Sequence, residues 1–125
     1  MSFYKQADYR PSKPFESPEH AWFWCCFCES KKDYKEHHSG KTWAAPCETS
    51  DILIVLKRLV QSGKINQQHL KILSKFGLLQ APPHPLFGAS LYECRLWKEA
   101  MDAFFSPLVS KGIIEAPANA IGEQL

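Results

Sequence analysis

Cys25 and Cys28 form a C-x-x-C pair with Cys26 between them, and His37, His38 and Cys47 follow. Thiolates and imidazoles are the side chains zinc prefers, and four of them complete a tetrahedral site. Structural zinc sites usually draw their paired cysteines from a turn. Here the pair falls inside an expected helix and is flanked by Trp22 and Trp24. The expectation is therefore of cysteines packed as small hydrophobes, and no metal ligand is assigned. A redox thiol needs a lowered pKa, which helix N-termini supply. Cys25 lies about two turns inside its helix, too deep for that. Five cysteines, an odd number, do not suggest a secreted disulfide framework. Reduced thiols in a cytoplasmic protein fit better. Hydrolytic chemistry lacks its usual parts, since no G-x-S-x-G, H-E-x-x-H or P-loop occurs. The chain reads as non-enzymatic and without a cofactor.

The elements that must carry these residues are helices. Ser17-Pro18-Glu19 opens the first, with a capping serine, a proline at the first helical position and an acid matched to the dipole. It continues as AWFWCCFC, eight residues that cover every side of a helix, since successive positions rotate by about 100°. Residues 37–50 read as a loop broken by Gly40 and Pro46. Thr49 or Ser50 caps the second helix, where Ile52, Leu53, Val55, Leu56, Leu59 and Val60 share an arc and Ile54 departs from it. Gly63 ends it in the left-handed conformation. Asn66 caps the third helix, with Ile65 and Leu70 spaced as a hydrophobic staple. His69 lies on its apolar arc as a hydrogen-bonded core-edge residue. Gly77 closes this helix, and three prolines bar a regular helix across residues 78–88. A fourth helix runs from about Ala89 to Phe105, with Ser106-Pro107 kinking or restarting it. Ile113-Ile114 reads as a short extended piece.

The fold class expected is all-α: a small bundle of about four helices over residues 17–115. Residues 1–16 read as an extended or disordered arm and 116–125 as a frayed tail. A chain of 125 residues is one domain by length. It is long enough for a single core without staples. No stretch approaches the roughly 20 apolar residues of a membrane helix, so no membrane partner is expected.

The pattern Leu56-x-x-Leu59-x-x-x-Gly63-x-Ile65-x-x-x-x-Leu70-x-x-Leu73 resembles the first two helices of winged-helix DNA-binding domains. The stretch from Leu108 to Ile114 resembles their passage from recognition helix to first wing strand. The likeness covers roughly half the chain and implies a helix-turn-helix-like joint and a DNA partner. The chain departs from the family in its proline-rich third joint and in the eleven residues that follow Ile114, short for a second wing strand.

Charge places the DNA reading on one helix. The net charge of +2 permits a polyanion partner without demanding one. The fourth helix shows Tyr92, Arg95, Lys98, Glu99 and Asp102, two i,i+4 ion pairs on a solvated face. The third shows Gln67, Gln68, Lys71 and Lys75, with no acid among them. Glutamine can read adenine, and lysine can contact guanine or phosphate. These four are the candidate nucleic-acid contacts. The competing class is a protein-interaction module. Aromatic side chains beyond what one core buries mark partner surfaces, and Trp22, Trp24 and Phe27 on the first helix are the candidate contacts. That reading admits either a protein partner or self-association through this helix.

Overall fold

The computed structural model describes residues 13–31 and 45–116. They form four helices: α1 (Pro18–Ser30), α2 (Thr49–Gln61), α3 (Gln67–Leu79) and α4 (Leu91–Ser110). A single 3₁₀ turn, Pro85–Phe87, lies in the proline-rich joint. The all-α class expected from periodicity is the class observed. No helix among the described residues is long and apolar enough to cross a membrane.

Each helix starts where local chemistry satisfies its free amides. At α1 the Ser17 hydroxyl accepts from the His20 amide at 3.1 Å. At α3 the Asn66 carboxamide oxygen accepts from the amides of Gln68 and His69. At α4 Ser90 and Glu93 exchange two bonds of 3.0 Å, a reciprocal capping box. The start of α2 differs from expectation. Glu48 occupies the cap, and its amide donates to Asp51 Oδ2 at 2.8 Å. Neither Thr49 nor Ser50 caps, since both lie inside the helix, and the Thr49 hydroxyl donates to Glu29 Oε2 at 2.5 Å, tying α2 to α1.

Two helix ends also differ. Gly63, at φ +85, does end α2. Gly77 does not end α3, which runs on to Leu79 and stops at Gln80 in the left-handed conformation. The Gln80 side chain holds that geometry by donating to the carbonyls of Gly77 and Phe23, both at 2.8 Å. Pro107 does not break α4, which continues to Ser110 with Phe104 and Leu108 buried on its inner side.

Helices α1 and α4 are the central pair. Each packs against the other and against both α2 and α3, whereas α2 and α3, joined by a short turn, do not form a packed pair. The core comprises Trp22 and Cys25 of α1, Ile52 and Val55 of α2, Leu73 and Phe76 of α3, and Trp97 and Phe104 of α4. Two indoles fix the arrangement. Trp22 Nε1 donates to the Leu73 carbonyl at 3.0 Å, and Trp97 Nε1 donates to Glu19 Oε2 at 2.7 Å. Phe15, from the expected arm, is also a core residue. Its amide donates to the Ile113 carbonyl at 2.9 Å, and its carbonyl accepts from Glu115 at 3.0 Å. This is a parallel bridge between Phe15 and Ile114.

At Gly77 side chains of α1 press directly on the backbone of α3. A Cβ placed there would lie 2.5 Å from Cys26 Sγ and 2.8 Å from Trp22 Nε1. Gly77→Ala is expected to destabilise the fold by about 1–3 kcal/mol, as overpacking does. Urea unfolding would measure it, and Cys26→Ala in the same chain should recover part of the loss. Unchanged stability in Gly77→Ala would show that the two helices can part without cost.

Candidate functional site

The first helix does not use all of its apolar sides for the core. Ala21, Trp22 and Cys25 are buried, Phe23, Trp24, Cys26 and Cys28 are half-buried, and Phe27 is 50% exposed. The three aromatic candidates therefore occupy different settings. Trp22 is a core residue with its indole N–H bonded to Leu73. Trp24 packs obliquely on Phe15, ring centres 5.3 Å apart. Only Phe27 faces solvent broadly, with the Lys31 ammonium 5.5 Å from its ring centre.

Because α2 and α3 do not close on one another, an open groove of about 540 Å³ remains between them, with α1 as its floor. Trp22, Cys25 and Cys26 form the floor, Leu53 and Leu56 one wall, and Leu70, Leu73 and Leu78 the other. Leu53 is 36% exposed and Leu78 64%. Ile54 and Leu79 are exposed next to them in sequence. Among the described residues one charged side chain, Glu29, lines the groove. Sequence reasoning placed Leu53 and Val60 in the core arc, and both are exposed. The available signal was the width of that arc. Together with Ile54 it carries more apolar side chains than one buried stripe of about 100° can turn inward.

The polar face of α3 is less open than its composition implies. Lys75 Nζ pairs with Glu93 Oε2 of α4 at 2.9 Å. Gln68 Oε1 accepts from the Tyr92 hydroxyl. Tyr92 and Glu93 stand beside α3 because α4 packs along it. The helix carries no acid of its own, yet the fold sets one on Lys75. Gln67 and Lys71 are exposed and make no side-chain hydrogen bond or ion pair among the described residues. His69 is a buried core-edge residue, as expected. Its Nδ1 accepts from the Asn66 amide at 3.1 Å, which leaves Nε2 to donate to Glu99 at 2.9 Å. The two i,i+4 pairs on α4 are present, Arg95–Glu99 at 3.8 Å and Lys98–Asp102 at 3.1 Å.

Of the cysteines, Cys25 and Cys26 line the groove. The Cys25 thiol donates to the Thr49 carbonyl at 3.9 Å. Burial pushes its pKa up to about 12, with Cys26 and Glu29 adding to the effect. Burial likewise raises Cys26, with Glu29, to about 11, and Cys47, with Asp51 and Glu48, to about 11. Burial and the neighbouring carboxylates hold these thiols in the protonated form, unlike a redox thiol of lowered pKa. No group of three or more histidine, cysteine, aspartate or glutamate side chains that could hold a metal ion occurs among the described residues. His37 and His38 lie outside the described residues.

The fold and its groove define a small all-α bundle with an open apolar cleft. No protein family, curated protein or solved structure matches this chain.

The thiols couple the stability of the fold to pH. Their folded pKa values stand above the ordinary 9.0. The unfolded chain therefore releases these protons first as pH rises. The stability they contribute is intact below about pH 9 and is lost progressively toward pH 11–12. Urea midpoints measured between pH 8 and pH 11 should fall, and the fall should shrink in Cys25→Ala/Cys26→Ala. Alkylation should agree: at pH 8 a thiol of pKa 11 is about one part in a thousand thiolate. Iodoacetamide should thus label Cys25 and Cys26 far more slowly in the folded protein than in urea, and equal rates would contradict the assignment.

Proposed function

We propose that this protein is a binding module that receives the apolar face of an amphipathic helix from a protein partner. The observation that carries this reading is the open groove of about 540 Å³ whose walls are leucines of two splayed helices. A helix seated in an apolar groove is a recurring recognition mode, with anchors at i, i+3, i+4 and i+7. The groove suits it because both walls are themselves helical and present leucines one turn apart, Leu53 with Leu56 and Leu70 with Leu73. Burying that many aliphatic side chains supplies the driving force, at about 25 cal/mol per Å² of apolar surface removed from water.

Charge indicates which helix. Glu29 lines one end of the groove, and Glu48 and Asp51 act electrostatically on Cys47 nearby. A partner helix with basic residues flanking its apolar face complements this acidic end.

The alternative reading, DNA contact through Gln67, Gln68, Lys71 and Lys75, has less support. Glu93 stands on Lys75 and Tyr92 engages Gln68, and an acid beside a phosphate contact costs affinity.

A synthetic amphipathic helix of leucine and lysine, about five turns long, is the direct probe. It should change the fluorescence of the tryptophans, Trp22 among them, on binding. Leu53→Asp/Leu78→Asp should weaken binding at least tenfold, about 1.4 kcal/mol. The same peptide with glutamate for lysine should bind more weakly. Binding that ignores the double substitution would overturn the proposal. So would a groove closed by self-association, seen as a dimer in light scattering that Leu53→Asp/Leu78→Asp dissolves.

A further inference from the structure

Arg58, Lys64 and Lys111 come from three separate stretches of the chain and meet at one place. They line a second groove, about 420 Å³, between the C-terminal half of α2 and the C-terminal half of α4. On α2 its residues Val55, Arg58, Leu59 and Ser62 lie on a different side from Leu53 and Leu56, as a rotation of about 100° per residue requires. The two grooves therefore share a helix but no side chain.

The charge balance of this groove is uneven. Arg58, Lys64 and Lys111 make no ion pair or side-chain hydrogen bond among the described residues. Cations near helix C-termini answer the dipole, and two helix ends together present about one unit of negative charge. Three cations exceed that. The one acid lining the groove among the described residues, Asp102, accepts from Lys98 at 3.1 Å and so brings a fourth cation to its edge. About two positive charges are left without a partner.

Hydrogen-bond donors accompany the charge. The Ser106 hydroxyl lines the groove and makes no hydrogen bond among the described residues. Val55, Leu59, Ala103 and Pro107 give an aliphatic floor. A base would stack on an aromatic ring, and no aromatic side chain among the described residues lines this groove. The cleft is within the range of small-ligand sites.

We propose that this groove binds a ligand carrying two or more phosphate groups, held by Arg58, Lys64 and Lys111 and read through its phosphates rather than its bases. The site uses different residues from the apolar groove, so either can fail alone. Phosphate chains come from two sources, a free polyphosphate or nucleotide and a single-stranded nucleic acid. Both present the same oxyanions to the same cations.

The test uses the full chain at about 50 mM salt, where phosphate contacts are strong. Inorganic tripolyphosphate and ATP are titrated by calorimetry, and a labelled single-stranded oligonucleotide by fluorescence anisotropy. Equal binding of tripolyphosphate and ATP identifies a free phosphate chain. Tighter oligonucleotide binding, with a log–log salt slope of about −0.7 per phosphate contacted, identifies a strand. Arg58→Gln/Lys64→Gln/Lys111→Gln should weaken either at least tenfold. Since those cations also answer the helix dipoles, Asp102→Asn provides a second readout. It removes an acid from the groove and should tighten binding by about two- to fivefold, which a purely stabilising role for the cations would not produce. Lys71→Gln/Lys75→Gln on α3 should change nothing. The proposal is overturned if neither ligand class binds, if polyglutamate binds equally well, if the α3 substitutions weaken binding as much as the triple, or if Asp102→Asn fails to tighten it.

Discussion

The contact between α1 and α3 at Gly77 is the constraint on which the other packing depends. Trp22 enters where α3 has no side chain, and its indole N–H reaches the Leu73 carbonyl at 3.0 Å. The same residue carries the ring that faces Phe104 of α4, with centres 5.7 Å apart. One tryptophan thus sets the distance of α1 from two helices. Trp97 repeats the logic from the opposite side. Its N–H holds Glu19 on α1, its ring stacks on Phe23, and it meets Phe76 edge-on. An indole buried with its N–H unsatisfied would be costly. Both are satisfied, so two bulky side chains fix the bundle without an orphaned donor.

Fixing α1 and α4 as the central pair has a consequence for the other two helices. The turn from Ser62 to Asn66 is short, and Lys64 and Ile65 donate back to the Leu59 carbonyl. That closes α2 neatly but does not turn α3 onto α2. Both helices lean on the central pair instead, which leaves a cleft between them. The apolar cleft lies between α2 and α3 and the basic one between α2 and α4. Both clefts are walled mainly by helices rather than by loops added to a closed bundle.

Much of the architecture was legible in the sequence. The caps at Ser17 and Asn66, the stop at Gly63 and the apolar arcs place four helices within a few residues of where they lie. The errors are instructive. Gly77 reads as a helix stop because glycine often is one; its actual role, admitting Trp22, depends on a residue 55 positions earlier in the chain. The α3 face reads as acid-free because Glu93 belongs to another helix. The excess of apolar residues on α2 was visible at Leu53, Ile54 and Val60, but which of them would face a cleft depended on the splay of α3. In each case the missing information was a contact between segments far apart in sequence, which periodicity does not encode.

The bridge at Phe15 has a mechanical meaning. The segment leading into α1 and the segment leaving α4 run parallel, joined by the bonds from Phe15 to Ile113 and from Glu115 to Phe15. Tension applied to the two sides of the domain would draw these segments along each other in opposite directions. Both hydrogen bonds and the buried Phe15 ring would then bear the load together, in shear, instead of peeling one after another. A bundle of helices is in this way closed by one short piece of paired extended backbone, set where such a load would fall.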